Sequence, residues 1–500
     1  MSARGAPDAK DQPPALAWPS IGAVALAELV LLVATSGGYG FHRDELYFVE
    51  AGRHLGFGYP DQPPLTPLLG RLATALFGVS PPVLRLFPEV ATAVTVVLGA
   101  LVAREFGGRR VAQAIAAAAV AVSGAMYAGH LLSTETFDLL FWVALLWLLA
   151  RLLRTGDERL WLAIGAVTGV ALENKDLVLM LAAAVGVGAV VARRFDIFRS
   201  RWFVVGAAVA FALWLPNLIW QGLHDWPQLT MSRNISRADG AQNRVELLPF
   251  QFVLISPLLV PIWIAGFVWL ARSPRARPWR LIAWAYPTLL VITFATGGRP
   301  YYPAGILLAL AAAGAVVTEE WLRTPARRVL VAVTLVAAAA LSALIFLPLV
   351  PARTLADTPI PSVNSDAMET IGRPRLARTV AGVFRSLSQA ERRSAVVLTE
   401  NYGEAGAVDH YGPRLGLPRA YSGHNGYGYW GAPPETRAPV IAVGFRDRSY
   451  LLRFFADVRL ADSIDNGYGI DNDEQGAPVW VCRDLRAPWA RLWPGLRHLA

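Results

Sequence analysis

Eleven apolar stretches, each near the 20 residues that a helix needs to cross a bilayer, fill most of the first 350 positions: 19–38, 83–103, 111–129, 137–153, 160–174, 177–192, 202–221, 247–271, 279–296, 303–322 and 328–350. A chain so built has few folds open to it. Backbone polar groups in lipid must be satisfied within their own segment, so each stretch reads as a helix. The connectors then sort by charge. Seventeen arginines occupy five alternate loops: Arg104, Arg109 and Arg110; Arg151, Arg154 and Arg159; Arg193, Arg194, Arg199 and Arg201; Arg272, Arg275, Arg277 and Arg280; Arg323, Arg327 and Arg328. Basic loops stay cytoplasmic, which predicts a cytoplasmic N-terminus and an odd number of crossings. Residues 39–82, 130–136, 173–176, 222–246, 297–302 and the whole tail then face outward. The shortest pair of stretches, 160–174 and 177–192, reads as a hairpin, because merging them would bury Glu173, Lys175 and Asp176 at mid-bilayer.

Composition agrees with a plasma-membrane protein and excludes a soluble enzyme. Only 17% of the residues are charged, against roughly 25% in an average soluble domain. From residue 352 onward 34 of 149 residues are charged, whereas residues 1–351 hold 49 charges, so a lipid-like body precedes a soluble-like tail. The expected organisation is a polytopic α-helical membrane domain over 1–350, a Pro-, Thr- and Ser-rich linker over 351–368, and a small α/β domain over 369–500. Strands are predicted at Ala395–Thr399, Val440–Gly444 and Val479–Cys482, and a helix around Tyr450–Phe455. The net charge of +9 resides largely in the connector arginines and gives no sign of nucleic-acid binding. Cys482 is the single cysteine, which excludes an intramolecular disulfide framework. The first stretch follows Arg4 and Lys10 as a signal peptide would, but no A-x-A-like cleavage site is evident and it reads as a retained helix.

The outer loops collect the side chains capable of chemistry. Loop 39–82 holds Asp44 and Glu45, then Asp61-Gln62-Pro63-Pro64, then an apolar run from Leu65 to Phe77 that suits helices lying at the interface. Asp44 and Glu45 form a carboxylate pair able to hold a metal, deprotonate a hydroxyl or cap the helix that follows. Glu135 and Asp138 open the fourth stretch. Lys175 is the only lysine after Lys10 in a chain with 44 arginines, and a compact cation in a tight turn suits a phosphate oxygen. With Arg299 and His224 on the same face, the set fits one reaction type: a base activates an acceptor while cations stabilise a departing phosphate. Asp61 and His224 are candidate ligands for a divalent metal cation. In the tail, Glu400, Tyr402, His424 and Asn425 lie in loops that mix amide, carboxylate and aromatic groups, as acceptor-binding sugar sites do. A secondary transporter or a non-catalytic glycolipid-binding scaffold also fits many spans with polar groups. A transporter, however, places such groups near the bilayer midplane.

Six elements in order carry a resemblance: Asp44-Glu45, Asp61-Gln62-Pro63-Pro64, Asp138, Asn174-Lys175, the Trp220-Gln221…His224…Trp226-Pro227 stretch, and Gly298 to Tyr302. The chain resembles the bacterial branch of the GT-C glycosyltransferases, the family 39/83 group that includes protein O-mannosyltransferases and the aminoarabinose transferase of lipid A. That resemblance implies an inverting transfer of a sugar from a polyprenyl-phosphate carrier to an extracytoplasmic glycan, lipid or protein hydroxyl. It implies Asp44 as catalytic base and Asp138 as a second acidic group that helps by orienting the acceptor or the base, with Lys175 on the donor phosphate. Arg299, Tyr301 and Tyr302 fall where carrier contacts are expected, and Asp61 near a metal. Gln62 stands where the protein O-mannosyltransferases carry His and the lipid A enzymes Lys, so the resemblance leaves the acceptor class open.

Overall fold

The computed structural model describes residues 13–435 and 439–499, so Arg4 and Lys10 lie outside the described residues. Sixteen α-helices build the body: α1 (Trp18–Thr35), α2 (Arg43–Ala51), α3 (Leu65–Phe77), α4 (Pro81–Glu105), α5 (Arg110–Ala121), α6 (Gly124–Gly129), α7 (Thr134–Thr155), α8 (Leu160–Leu172), α9 (Val178–Val191), α10 (Arg201–Leu223), α11 (Pro227–Ala238), α12 (Gly240–Gln251), α13 (Val260–Arg272), α14 (Arg280–Thr296), α15 (Ala304–Trp321) and α16 (Pro325–Phe346). Six of these, α1, α4, α7, α10, α15 and α16, are long and apolar enough to cross a membrane, and the protein is an integral membrane protein. All eleven expected stretches contain helix, but α5, α8 and α9 are short, and the segments containing α13 and α14 meet at 97°. Two of the stretches are not single helices: 111–129 divides between α5 and α6, and 247–271 breaks after Gln251 and resumes at Val260. Pro257 lacks the donor a helix needs, and Ser256 before it takes a φ of 108° that no helix accommodates.

Glycine explains how the short helices are held. A Cβ on Gly165 of α8 would collide with the backbone of Gly206 on α10, and one on Gly206 with that of Trp161. Gly266 of α13 meets Leu310 of α15 in the same way, and Gly188 of α9 meets Leu281 of α14. In lipid, where apolar burial drives nothing between helices, such close backbone approach supplies the packing.

The loops sort onto two faces. On one, Arg154 pairs with Glu105 at 2.6 Å and Arg275 with Glu320 at 3.0 Å, so four of the arginine-rich connectors meet there. On the other, Thr66 donates to Asn174 at 2.8 Å and Gln221 to the carbonyl of Tyr59 at 3.1 Å, tying the first long loop to the α8–α9 turn and the end of α10.

The tail folds onto this second face. The segment expected as a linker forms the turns α17 (Ala352–Leu355) and α18 (Ile360–Val363), whose Leu355 and Ile360 pack with Met368, Ile371 and Ile470. After α19 (Arg373–Ser386) and α20 (Gln389–Arg392) come β1 (Val396–Thr399), α21 (Tyr402–Tyr411), β2 (Ala420–Ser422), β3 (Val440–Val443), β4 (Phe455–Ser463) and β5 (Pro478–Leu485). The sheet order is β2-β1-β3-β5-β4, with β1 parallel to β2 and β3 and with β5 antiparallel to β3 and β4. The predicted helix around Tyr450–Phe455 is only the turn Arg448–Leu451, because Phe455 already pairs with Leu485 in β4. One apolar core joins the two halves. Leu46, Tyr47 and Phe48 of α2 are buried together with Val380, Ala405 and Val408 of the tail.

Candidate functional site

Helix α2 is the centre of the site, and its start is encoded locally. His42 caps it, accepting from the Asp44 amide at 3.2 Å, while Glu45 accepts from the His42 amide at 2.9 Å, a reciprocal capping box. Glu45 then turns inward. Its two oxygens accept from Arg85 of α4 at 2.8 and 2.9 Å, and both side chains are fully buried. Arg85 also donates to the carbonyls of Ser36 and Gly40. Glu45, expected beside Asp44 as a catalytic group, therefore fastens the loop and does not line the cavity.

Asp44 does. A cavity of about 810 Å³ opens between the second face and the tail, lined among others by His42, Asp44, Asp61, Glu135, Arg299, Tyr402, His424 and Asn425. Asp44 Oδ1 accepts from the Tyr402 hydroxyl at 2.8 Å. Asp61 accepts from the Tyr47 hydroxyl at 2.8 Å and from the Asn425 amide at 3.4 Å. Burial pushes the Asp61 carboxyl up to about 7 despite the hydrogen bond from Tyr47. His424 is pushed down to about 3 by burial, then by His498 and Arg43, so the ring is neutral. Both of its nitrogens and the Asn425 carbonyl oxygen lack partners. Buried polar atoms normally have partners, and unused ones on a cavity wall are available to a ligand.

Lys175 is not itself part of the cavity lining and reaches it through Glu135, which is. Its ammonium lies 2.6 Å from Glu135 and faces the rings of Tyr301 at 5.5 Å and Tyr302 at 5.9 Å. Burial lowers its pKa, but Glu135, Tyr301, Tyr302 and Asp138 more than offset this and hold it well above the usual amine range. Asp138, one turn along α7 from Glu135, accepts from the Trp142 indole at 3.0 Å and stands behind the cavity. Arg299 faces the cavity and pairs with Asp239 at 2.9 Å.

Two expected members fall elsewhere. His224 stacks on Trp220 with ring centroids 4.0 Å apart and lines a separate cavity of about 390 Å³ with Asp225, Tyr429 and Arg497. Asp61 and His224 thus do not converge. Among the described residues no three His, Cys, Asp or Glu side chains are grouped for a metal, so these residues do not fit the divalent ion expected of them. Glu400 lies at the end of β1 with its amide bonded to Val443 and Glu404, outside the cavity lining. Tyr47, Asp239, Asp366 and Asp473 belong to the site without having been singled out. The acidic run 471–474, whose Asp473 pairs with Arg43, was the one available signal for the last.

The helical body, the interfacial helices of the first long loop and the α/β tail closing over them define a membrane protein of the GT-C glycosyltransferase fold. Over its whole length the chain is similar to ArnT from Cupriavidus metallidurans bound to undecaprenyl phosphate, with a TM-score of 0.60, 16% identity, and coverage of 93% of this chain and 98% of that one. The apo state of that protein gives 0.58 at 17% identity, covering 92% and 96%. At such identity the likeness is one of fold. Residues 61–220 match the family model of dolichyl-phosphate-mannose-protein mannosyltransferases. No curated protein matches the sequence.

Proposed function

We propose that the protein is an inverting glycosyltransferase that moves a sugar from a polyprenyl-phosphate carrier to an acceptor hydroxyl on the outer side of the membrane. The observation that carries this reading is the arrangement around one cavity: Asp44 and Arg299 line it, and the Lys175 ammonium joins it through Glu135, which also lines it. Asp44 takes the proton of the acceptor hydroxyl as its oxygen attacks the anomeric carbon. The new glycosidic C–O bond forms as the bond from that carbon to the phosphate oxygen breaks, and the polyprenyl phosphate leaves with its charge stabilised by Lys175 and Arg299. Tyr301 and Tyr302 border the same phosphate position, and Asp138 supports Lys175 from behind. His424 and Asn425 present donors and acceptors suited to the hydroxyls of a sugar-like acceptor. An apolar cavity of about 560 Å³ supports a seat for the lipid chain: it is lined by Leu172 and Val178, which flank the Lys175 turn, and extends to Trp161 and Phe198. The arginine-rich connectors support a cytoplasmic position for their own face, and with it an outer position for the site and the tail.

The test is Asp44→Asn, assayed for transfer from a labelled polyprenyl-phosphate sugar to a membrane lipid fraction. Turnover is expected to fall by roughly 10²–10⁴ with donor binding retained, as for loss of a general base. Near-normal turnover would remove Asp44 from that role.

A further inference from the structure

The tail is joined to α2 and to the loop that follows it at three places, all of which bear on the two cavity aspartates. Tyr402, the first residue of α21, donates its hydroxyl to Asp44 at 2.8 Å, across 358 positions of sequence. The amide of Gly426 donates to the Tyr47 hydroxyl at 3.1 Å, which in turn donates to Asp61. Asn425 reaches the other oxygen of Asp61. Tyr402 is itself held in place. The Arg43 guanidinium lies over its ring at 5.0 Å and pairs with Asp473 of the tail, and the Tyr47 ring lies 4.8 Å away. Below it, α21 approaches α2 backbone to backbone through Gly403 and Gly406: a Cβ on either would lie 2.8 Å from the Cβ of Arg43 or Leu46.

From this geometry we infer that the tail is half of the catalytic centre, and that Tyr402 is a positioning residue acting through Asp44. A carboxylate at the head of a short interfacial helix is free to rotate about two torsions. The Tyr402 hydroxyl fixes one oxygen and leaves the other for the acceptor proton. The other groups around Asp44 are His42 and Arg43 on its own helix, with Asp61 and Asp473 beyond. This inference rests on the reading of Asp44 as base, and the variants below separate the two.

Tyr402→Phe removes the hydroxyl and keeps the ring beneath Arg43. With a labelled polyprenyl-phosphate sugar as donor and a membrane lipid fraction as acceptor, kcat is expected to fall about tenfold or more, the value of one hydrogen bond to a charged group. The KM for donor should stay within about twofold, so that the loss appears in kcat and not in binding. In the Asp44→Asn background the same substitution should change the residual rate little, since residues acting as one unit are not additive. Donor binding and the thermal midpoint in detergent confirm that each variant is folded. A wild-type rate in Tyr402→Phe overturns the inference, and so does a change confined to KM. A full-sized effect in the Asp44→Asn background overturns it too, because Tyr402 would then act without Asp44. High activity of Asp44→Asn alone would instead sink the base.

Discussion

The Lys175 ammonium and the Glu135 carboxylate meet at 2.6 Å, and the Tyr301 hydroxyl donates to the same Glu135 oxygen at 3.1 Å. Glu135 therefore occupies, with one of its oxygens, the cation to which the proposed function assigns the donor phosphate. An incoming anion must displace a carboxylate already in place. Replacing Glu135 by Gln should leave the ammonium free for phosphate and tighten polyprenyl-phosphate binding about threefold or more. Lys175→Ala should weaken it by about 30-fold or more, since the remaining carboxylate then repels the ligand. Lys175→Arg should not restore wild-type affinity, because a planar fork does not replace a compact cation in a tight turn. Titration with labelled polyprenyl phosphate in detergent measures all three.

Asp44 and Glu45 are neighbours with opposite duties. Glu45 neutralises Arg85, and neither side chain has measurable exposure. Removing one partner of a buried pair leaves an uncompensated charge and costs about 3–5 kcal/mol. Glu45→Ala should therefore lower the thermal midpoint sharply and reduce the yield of folded protein, whereas Asp44→Asn should leave the midpoint near wild type and lower turnover by roughly 10²–10⁴. A midpoint for Glu45→Ala within the error of wild type would overturn the assignment.

Asp61 makes stability depend on pH. Burial raises its carboxyl from an ordinary 3.8 to about 7 in the folded protein. Below about pH 4 the group is protonated folded or unfolded and costs nothing. Between there and 7 the unfolded chain ionises and the folded one resists, so stability falls as pH rises through this window and the loss is complete above 7. Asp61→Asn lacks the ionisation. It should match wild type near pH 4 and be more stable at pH 8 by about 1–2 kcal/mol, after allowance for partial solvent access. Thermal midpoints at the two pH values check the sign.

Much of this was legible because lipid restricts the chain more than water does. Alternating arginines separated the loops, and the contacts Arg154–Glu105 and Thr66–Asn174 lie on the two faces so defined. The scarcity of lysine singled out Lys175, and Asp44, Asp61 and Arg299 line one cavity as their common face implied. What escaped was pairing over long separations. Nothing in Glu45 announces Arg85, and nothing in Tyr402 announces Asp44; their separation in sequence carries no periodic signal. Apolar content alone also could not locate the break at 252–259, since lipid-facing and broken segments have the same composition, nor distinguish strand from helix at Phe455 in so short an apolar run.

The docking of α21 on α2 gives a last prediction that separates fit from stability. A Cβ on Gly406 would stand 2.8 Å from the Leu46 Cβ and 3.2 Å from its carbonyl carbon. Backbone cannot yield as a flexible side chain can, so Gly406→Leu must push the two helices apart, at about 1–3 kcal/mol. Tyr402 lies one turn from Gly406 and moves with α21, which lengthens its bond to Asp44. Turnover should fall by about tenfold or more while polyprenyl-phosphate binding, which the proposed reading assigns to Lys175 in the body, is kept. Gly382 provides the control. It lies within α19, and a Cβ there meets nothing within 4 Å. Gly382→Ala should be neutral or stabilising by up to about 1 kcal/mol, as for alanine replacing glycine inside a helix. Equal losses of turnover in the two variants would mean that the α2–α21 contact has no special part in catalysis.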